Sequence, residues 1–166
     1  GPSTDPEELI KILSVLNPNN ESGRVTLICR MGADKINSIL PNIIKIVKKE
    51  GSNVVWACDP MHGNTIKSNT GYKTRPLKNI FSEIQKFFQI HKSIGTYPGG
   101  VHLEMTGQDV TECMGGLQEI TDEDLKNRYH TFCDPRLNAS QSLELAFLIS
   151  DFLKHENFLS SKSSNS

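Results

Sequence analysis

Apolar residues recur at Leu9, Ile10, Ile12, Leu13 and Leu16 in the stretch DPEELIKILSVLN, a spacing that predicts a helix from about Asp5 with its acidic residues in the first turn. The polar loop PNNESG separates it from RVTLICR, a short β-rich run read as a strand ending at Arg30. Helical spacing returns at Ile36, Ile39, Leu40, Ile43, Ile44 and Val47, closed by lysines and Gly51, with Pro41 set to kink the helix or begin a second piece. The run NVVWACD then has the length and β-branched content of a buried strand, and Asp59-Pro60 forbids its continuation.

Beyond that stop, GNTIKSNTGYKTR reads as a polar loop, and LKNIFSEIQKFFQIHKSIG as an amphipathic helix ending at Gly95. After TYPGG, the alternation in VHLEMTG predicts a third strand. A long loop leads to DEDLKNRYHTFCDPRLN, expected to hold a short helical turn and a second Cys-Asp-Pro. The last helix is SQSLELAFLISDFLKHE, with Leu143, Ala146, Phe147, Ile149, Ser150 and Leu153 along a mostly apolar stripe. Strands alternating with helices of this length imply βαβ units, hence an α/β fold with a parallel sheet. No internal boundary is indicated between residues 5 and 156, and the polar end, residues 157–166, is expected to be a disordered tail. Gly1-Pro2-Ser3 reads equally as a protease-cleavage scar or as native sequence.

Composition changes this picture little. With 166 residues, 36% hydrophobic and 22% charged, the chain suits one ordinary core, and a net charge of -1 supplies no global attraction to nucleic acid or anionic membrane. No apolar run approaches the roughly 18 residues of a membrane span. Cys29, Cys58, Cys113 and Cys133 lack metal-knuckle spacing and are expected to be reduced thiols of an intracellular protein. Cys58 and Cys133 are read as small buried hydrophobes rather than ligands or nucleophiles. Phe87-Phe88 is read as core, and His91, His130 and His155 as surface residues.

In parallel α/β sheets chemistry gathers at the carboxyl ends of strands, which here offer Arg30, Asp59 to His62, and His102 to Glu104. His62, Glu104 and Asp134 form a mixed nitrogen and oxygen donor set suited to a divalent metal with open coordination positions. The competing reading makes them caps and loop anchors. Arg30 suits a bidentate clamp on carboxylate or phosphate, with an ion pair to a neighbouring acid as the alternative. The glycine-containing GNT and TGYKT fit neither phosphate-loop fingerprint.

Four motifs, RMGADKI, CDPMHGNT, PGGVHLEMTGQDVTEC and CDPRLNASQSLELAFL, in this order, resemble the class II (plant-type) 3-deoxy-D-arabino-heptulosonate 7-phosphate (DAHP) synthases over about residues 1–153. The resemblance implies a (β/α)8 TIM barrel that condenses phosphoenolpyruvate with erythrose 4-phosphate and releases phosphate, the first step of the shikimate pathway to aromatic amino acids. It implies a divalent cofactor, Mn²⁺ or alternatively Co²⁺ or another ion, held by a Cys, a His, a Glu and an Asp, the last three falling on His62, Glu104 and Asp134. The arginine that contacts phosphoenolpyruvate falls on Arg30, so Arg30 and His62 are the expected catalytic residues.

Family enzymes are much longer. The metal-binding cysteine and further basic residues belong to earlier strands, and a phosphoenolpyruvate-contacting lysine precedes the Gly-Pro that resembles Gly1-Pro2. Residues 1–156 are therefore expected to be the C-terminal part of the barrel, about strands six to eight, with open edges and an apolar inner face. The expected partners are the N-terminal portion of the same enzyme and further copies in a homo-oligomer, in the cytoplasm or, in a plant, the plastid. The alternative function is a non-catalytic domain that folds or self-associates without turnover.

Overall fold

A computed structural model describes residues 1–163, with side chains described for residues 1–155. The tail expected to be disordered, residues 157–166, falls outside the described side chains, and its last three residues lie outside the described residues altogether. Proximity along the backbone divides the chain into two compact units, Gly1–Asn64 with Ser82–Leu103 and Thr65–Phe81 with Glu104–Ser166. Among the described residues no helix is long and apolar enough to cross a membrane.

The first unit holds α1 (Pro6–Leu16), β1 (Thr26–Cys29), α2 (Ile36–Lys49), β2 (Val55–Cys58), most of α3 (Leu77–Ile94) and β5 (Pro98–Val101). Asp5 caps α1 by accepting a hydrogen bond from the Glu7 N–H at 2.9 Å, with Glu7 and Glu8 completing a negative first turn. The strands form one parallel sheet in the order β1-β2-β5, with Cys29 level with Cys58 and Cys58 level with Val101. This is the α/β arrangement that alternation of strands and helices demanded. Pro41 sits inside α2 without ending it, because Ile36, Leu40, Ile43, Ile44 and Val47 bury a continuous stripe on both sides of it.

Two expectations need correction here. The third strand is Pro98–Val101, not residues 101–107. β2 ends at Cys58, so its ladder with β5 closes when His102 N–H donates to the Cys58 carbonyl at 2.7 Å, and the next pairing, the parallel Met105–Leu137 bridge, is made with a different segment. Gly99 permits the close pairing, since a Cβ there would lie 2.8 Å from the Trp56 carbonyl oxygen. His91 is fully buried, its ring 4.5 Å from Phe87 and 5.2 Å from Trp56, and its Nδ1 is 2.8 Å from Thr96 Oγ1. Burial pushes its pKa down to about 4. The expected helix α1 is present; it buries only Leu13 of its apolar face, and Ile12 and Leu16 stay exposed. On the sheet, Ile28 of β1 is 45% exposed.

The second unit holds a two-stranded antiparallel hairpin, β3 (Ile66–Lys67) with β4 (Lys73–Thr74), the first turn of α3, a 3₁₀ turn at Leu125–Asn127 and α4 (Ala139–Ser163). The hairpin replaces part of the expected polar loop. Asp122 clasps its tip by accepting from Asn69 N–H at 2.7 Å and from Thr70 N–H at 3.3 Å, a tie between distant segments that no local pattern encodes. The face α4 buries also differs from its apolar stripe: Leu145 and Gln141 are inside, while Leu143 and Phe147 are exposed. Gln141 donates to the Cys113 carbonyl at 2.9 Å and accepts from Asn138 N–H at 3.3 Å, so polar anchoring turns the helix away from its apolar stripe.

Candidate metal centre

In the first unit the loops after β1 and β2 meet backbone to backbone. A Cβ on Gly63 would lie 2.4 Å from the Gly32 nitrogen, and Gly32 itself has φ +86°, so glycine is required at both positions. Fully buried Glu83 of α3 pins the same loops, accepting from Met31 N–H at 2.9 Å, Gly32 N–H at 3.0 Å and Asn64 Nδ2 at 2.7 Å. Burial raises the Glu83 pKa despite these donors.

Within that frame stands fully buried Asp59. It accepts from Arg30 Nε at 2.7 Å, from Met61 N–H at 3.1 Å and from His62 N–H at 3.3 Å, and one oxygen lies 2.8 Å from His62 Nδ1. Burial alone would raise its pKa, but hydrogen bonds from the His62 ring and backbone hold it below the ordinary carboxylate value. An ionised carboxylate only accepts, so the proton of a neutral His62 belongs on Nδ1 and Nε2 carries the lone pair. That is the tautomer a metal-ligating histidine needs. The structure thus brings two predicted residues, Arg30 and His62, onto one acid. The ion-pair alternative for Arg30 is realised through Nε, and its side chain remains 49% exposed.

The second unit brings together the other two. Leu137 N–H donates to the Glu104 carbonyl at 3.0 Å and Thr106 N–H to the Leu137 carbonyl at 2.9 Å, fixing the Glu104 backbone beside the segment that follows Asp134. Ligand atoms of Glu104 and Asp134 lie within 4.8 Å of each other. Oxygens bound to one divalent ion, each roughly 2.0–2.6 Å from it, stand at most about 5 Å apart. The pair fits such an ion. Arg75, 0% exposed, donates from Nη1 to Glu104 Oε2 and, at 2.7 Å, to the Pro135 carbonyl, while Nε reaches Thr65 Oγ1 at 2.8 Å. Lys73 Nζ lies 2.6 Å from Asp134 Oδ1.

Beneath them buried Glu112 organises the loop that carries Asp134. It accepts from the backbone N–H groups of His130 at 3.2 Å, Thr131 at 2.8 Å and Arg136 at 2.8 Å, and from the Arg136 guanidinium at 3.0 and 2.8 Å. Burial opposes ionisation of Glu112, but the hydrogen bonds from Arg136 outweigh it and lower its pKa.

The cysteines divide. Cys58 is fully buried and burial pushes its pKa well above the ordinary thiol value, in keeping with its reading as a small hydrophobe. Cys133 is exposed, because the second Cys-Asp-Pro lies in a bend and not at a strand end. Sequence reasoning missed Asp59 as the partner of His62, although its place three residues before the histidine is a usable signal. Glu83, Glu112, Lys73 and Arg75 carried no local signal, since each meets its partners only through the fold.

Comparison with known proteins places these residues in company. The model of the Class-II DAHP synthetase family matches residues 1–150. The chain is 55% identical over 154 residues to "Phospho-2-dehydro-3-deoxyheptonate aldolase AroG" of Mycolicibacterium smegmatis, covering 93% of this chain and 33% of that protein. It is 51% identical over 156 residues to "Phospho-2-dehydro-3-deoxyheptonate aldolase" of Streptomyces coelicolor, covering 94% of this chain and 35% of that protein. The chain therefore spans about a third of the length of these relatives.

Proposed function

The chain belongs to the class-II DAHP synthetase family, and from that premise we propose that it supplies strands six to eight of a (β/α)8 barrel and part of the active site of a DAHP synthase. The observation that carries this reading is the identity of 51–55% to two aldolases over nearly the whole chain, including all the motifs that bear the candidate site. The reaction joins C3 of phosphoenolpyruvate to the aldehyde carbon of erythrose 4-phosphate; water adds at C2 and phosphate leaves.

In this reading, as the family resemblance implies, His62, Glu104 and Asp134 hold one divalent ion, Mn²⁺ or Co²⁺ being the candidates. A bound divalent ion supplies Lewis acidity toward the aldehyde oxygen. The chain's own residues prepare for it. Asp59 keeps the His62 proton on Nδ1 and leaves Nε2 to donate its lone pair. Glu104 and Asp134 supply negative charge, and Arg75 fixes the orientation of Glu104. Arg30, steadied through Nε by Asp59, offers its half-exposed guanidinium edge to an anionic group of phosphoenolpyruvate and holds it in line for attack. Exposed Ile28 of β1 and exposed Ile12 and Leu16 of α1 are apolar surface that the N-terminal portion of the same enzyme, or further copies in a homo-oligomer, would cover. The enzyme is assigned to the cytoplasm by its family alone.

The test is a Mn²⁺ titration of the full chain and of His62→Ala, followed, with the N-terminal portion of the same enzyme added, by phosphate release from phosphoenolpyruvate with and without erythrose 4-phosphate. Ion binding lost in the variant, with phosphate release dependent on both substrates, supports the reading. An unaltered ion affinity in His62→Ala removes His62 from the site.

A further inference from the structure

The metal reading accounts for two carboxylates and leaves unexplained the two cations already seated on them. Glu104 and Asp134 carry two negative charges, and Arg75 and Lys73 carry two positive ones, so the cluster is neutral before any ion arrives. A divalent ion would leave it with two excess positive charges in a partly buried place. One cation has to go.

The two cations differ in their freedom to leave. Arg75 is fully buried and held at three points, by Thr65, Glu104 and the Pro135 carbonyl. The Lys73 side chain is 53% exposed, and its backbone is fixed independently of the ammonium, by the hairpin ladder and by the Tyr129 hydroxyl, which donates to the Lys73 carbonyl at 2.7 Å. The ammonium can therefore swing into water without disturbing β4. Exposed lysine–carboxylate pairs are weak, so little is lost.

A second observation points the same way. Arg75 Nη2 is buried and has no hydrogen-bond partner, and it lies 4.0 Å from Asp134 Oδ2. Buried guanidinium donors are seldom left unmatched. A small turn of the Asp134 carboxylate away from Lys73 would bring Oδ2 into hydrogen-bond range.

We infer that Lys73 is a displaceable stand-in for the metal ion at Asp134, and that ion binding expels the ammonium and passes Asp134 to Arg75 Nη2. Lys73 thereby competes with the ion and sets the affinity of the site; it is a positioning residue acting through Asp134. The inference rests on the metal reading above, and the experiment separates the two. Free Mn²⁺ is followed by electron paramagnetic resonance in titrations of the full chain and of Lys73→Met, Lys73→Gln, Lys73→Arg and Glu104→Gln, with far-ultraviolet circular dichroism checking the fold.

Removing the ammonium in Lys73→Met or Lys73→Gln should tighten Mn²⁺ binding by up to roughly fivefold, the reach of an exposed ion pair. Lys73→Arg, which keeps a cation, should stay near wild type, and Glu104→Gln should abolish binding. Equal or weaker binding in both neutral Lys73 variants, with Glu104→Gln still abolishing it, overturns the stand-in and leaves the metal site standing. No binding by wild type, or full binding by Glu104→Gln, overturns the metal reading and the stand-in with it.

Discussion

Glu112→Gln probes the loop that presents Asp134. The native carboxylate is fully buried and receives five hydrogen bonds, three from backbone N–H groups and two from Arg136. Glutamine preserves shape, but its amide NH₂ must face donors at one of the two oxygen positions, and Arg136 loses its counter-charge. Removing one partner of a buried ion pair costs about 3–5 kcal/mol, and the 32% exposure of the Arg136 side chain lets water recover part of that. A loss of about 3 kcal/mol follows, a fall in Tm of roughly 6–12 °C for a chain of this size.

Its pH dependence is equally defined. The Glu112 pKa is lowered from an ordinary 4.5, so its stabilisation is fully present above that value and vanishes as pH falls through the folded-state pKa. Urea unfolding of both forms between neutral pH and acid should show the difference shrinking toward zero at the acid end. A difference below about 0.5 kcal/mol at neutral pH, or one independent of pH, refutes the assignment of Glu112 as the loop's charged anchor.

Other outcomes follow from the same geometry. Asp59→Asn should weaken Mn²⁺ binding about 10- to 100-fold while leaving His62 in place, because the Nδ1 partner is no longer ionised; calorimetric titration measures it. Gly63→Ala must push the Gly32 backbone, since the new Cβ would meet atoms at 2.4 and 2.9 Å, and a loss of about 1–3 kcal/mol is expected in denaturant titration. His91, held neutral by burial down to about pH 4 against an ordinary 6.5, lets the unfolded chain take up a proton first. Stability should therefore fall from pH 6.5 toward 4 by up to roughly 3 kcal/mol from this group, and His91→Phe should flatten that part of a stability–pH curve.

Much of this molecule was legible in its sequence where a local pattern reports a local cause. The stripe Ile36–Val47, the helix begun at about Asp5 with its acidic first turn, and the Asp59-Pro60 stop each act over one or two turns of chain, and each appears where expected. Alternation in VHLEMTG misled because strand ends are set by the neighbouring strand, and β2 stops first. The stripe of α4 misled differently. Its apolar residues have the helical period, but which face is buried depends on what lies opposite, and there Gln141 and its carbonyl partners decide it. At the site the donor atoms were visible as residue types. Their orienting partners, Asp59 for His62, Arg75 for Glu104 and Glu112 for the Asp134 loop, lie 3 to 29 residues distant, and only Asp59 is near enough to be read locally.

The glycine contact between the loops after β1 and β2 bears on how this chain can vary. A crowded pair of ordinary side chains can be relieved by shrinking one when the other grows. Gly32 and Gly63 have no smaller state, so a larger residue at either has no compensating exchange at the other. A genetic screen starting from Gly63→Ala should recover true revertants, or suppressors that shift the loops through distant packing, and none at position 32.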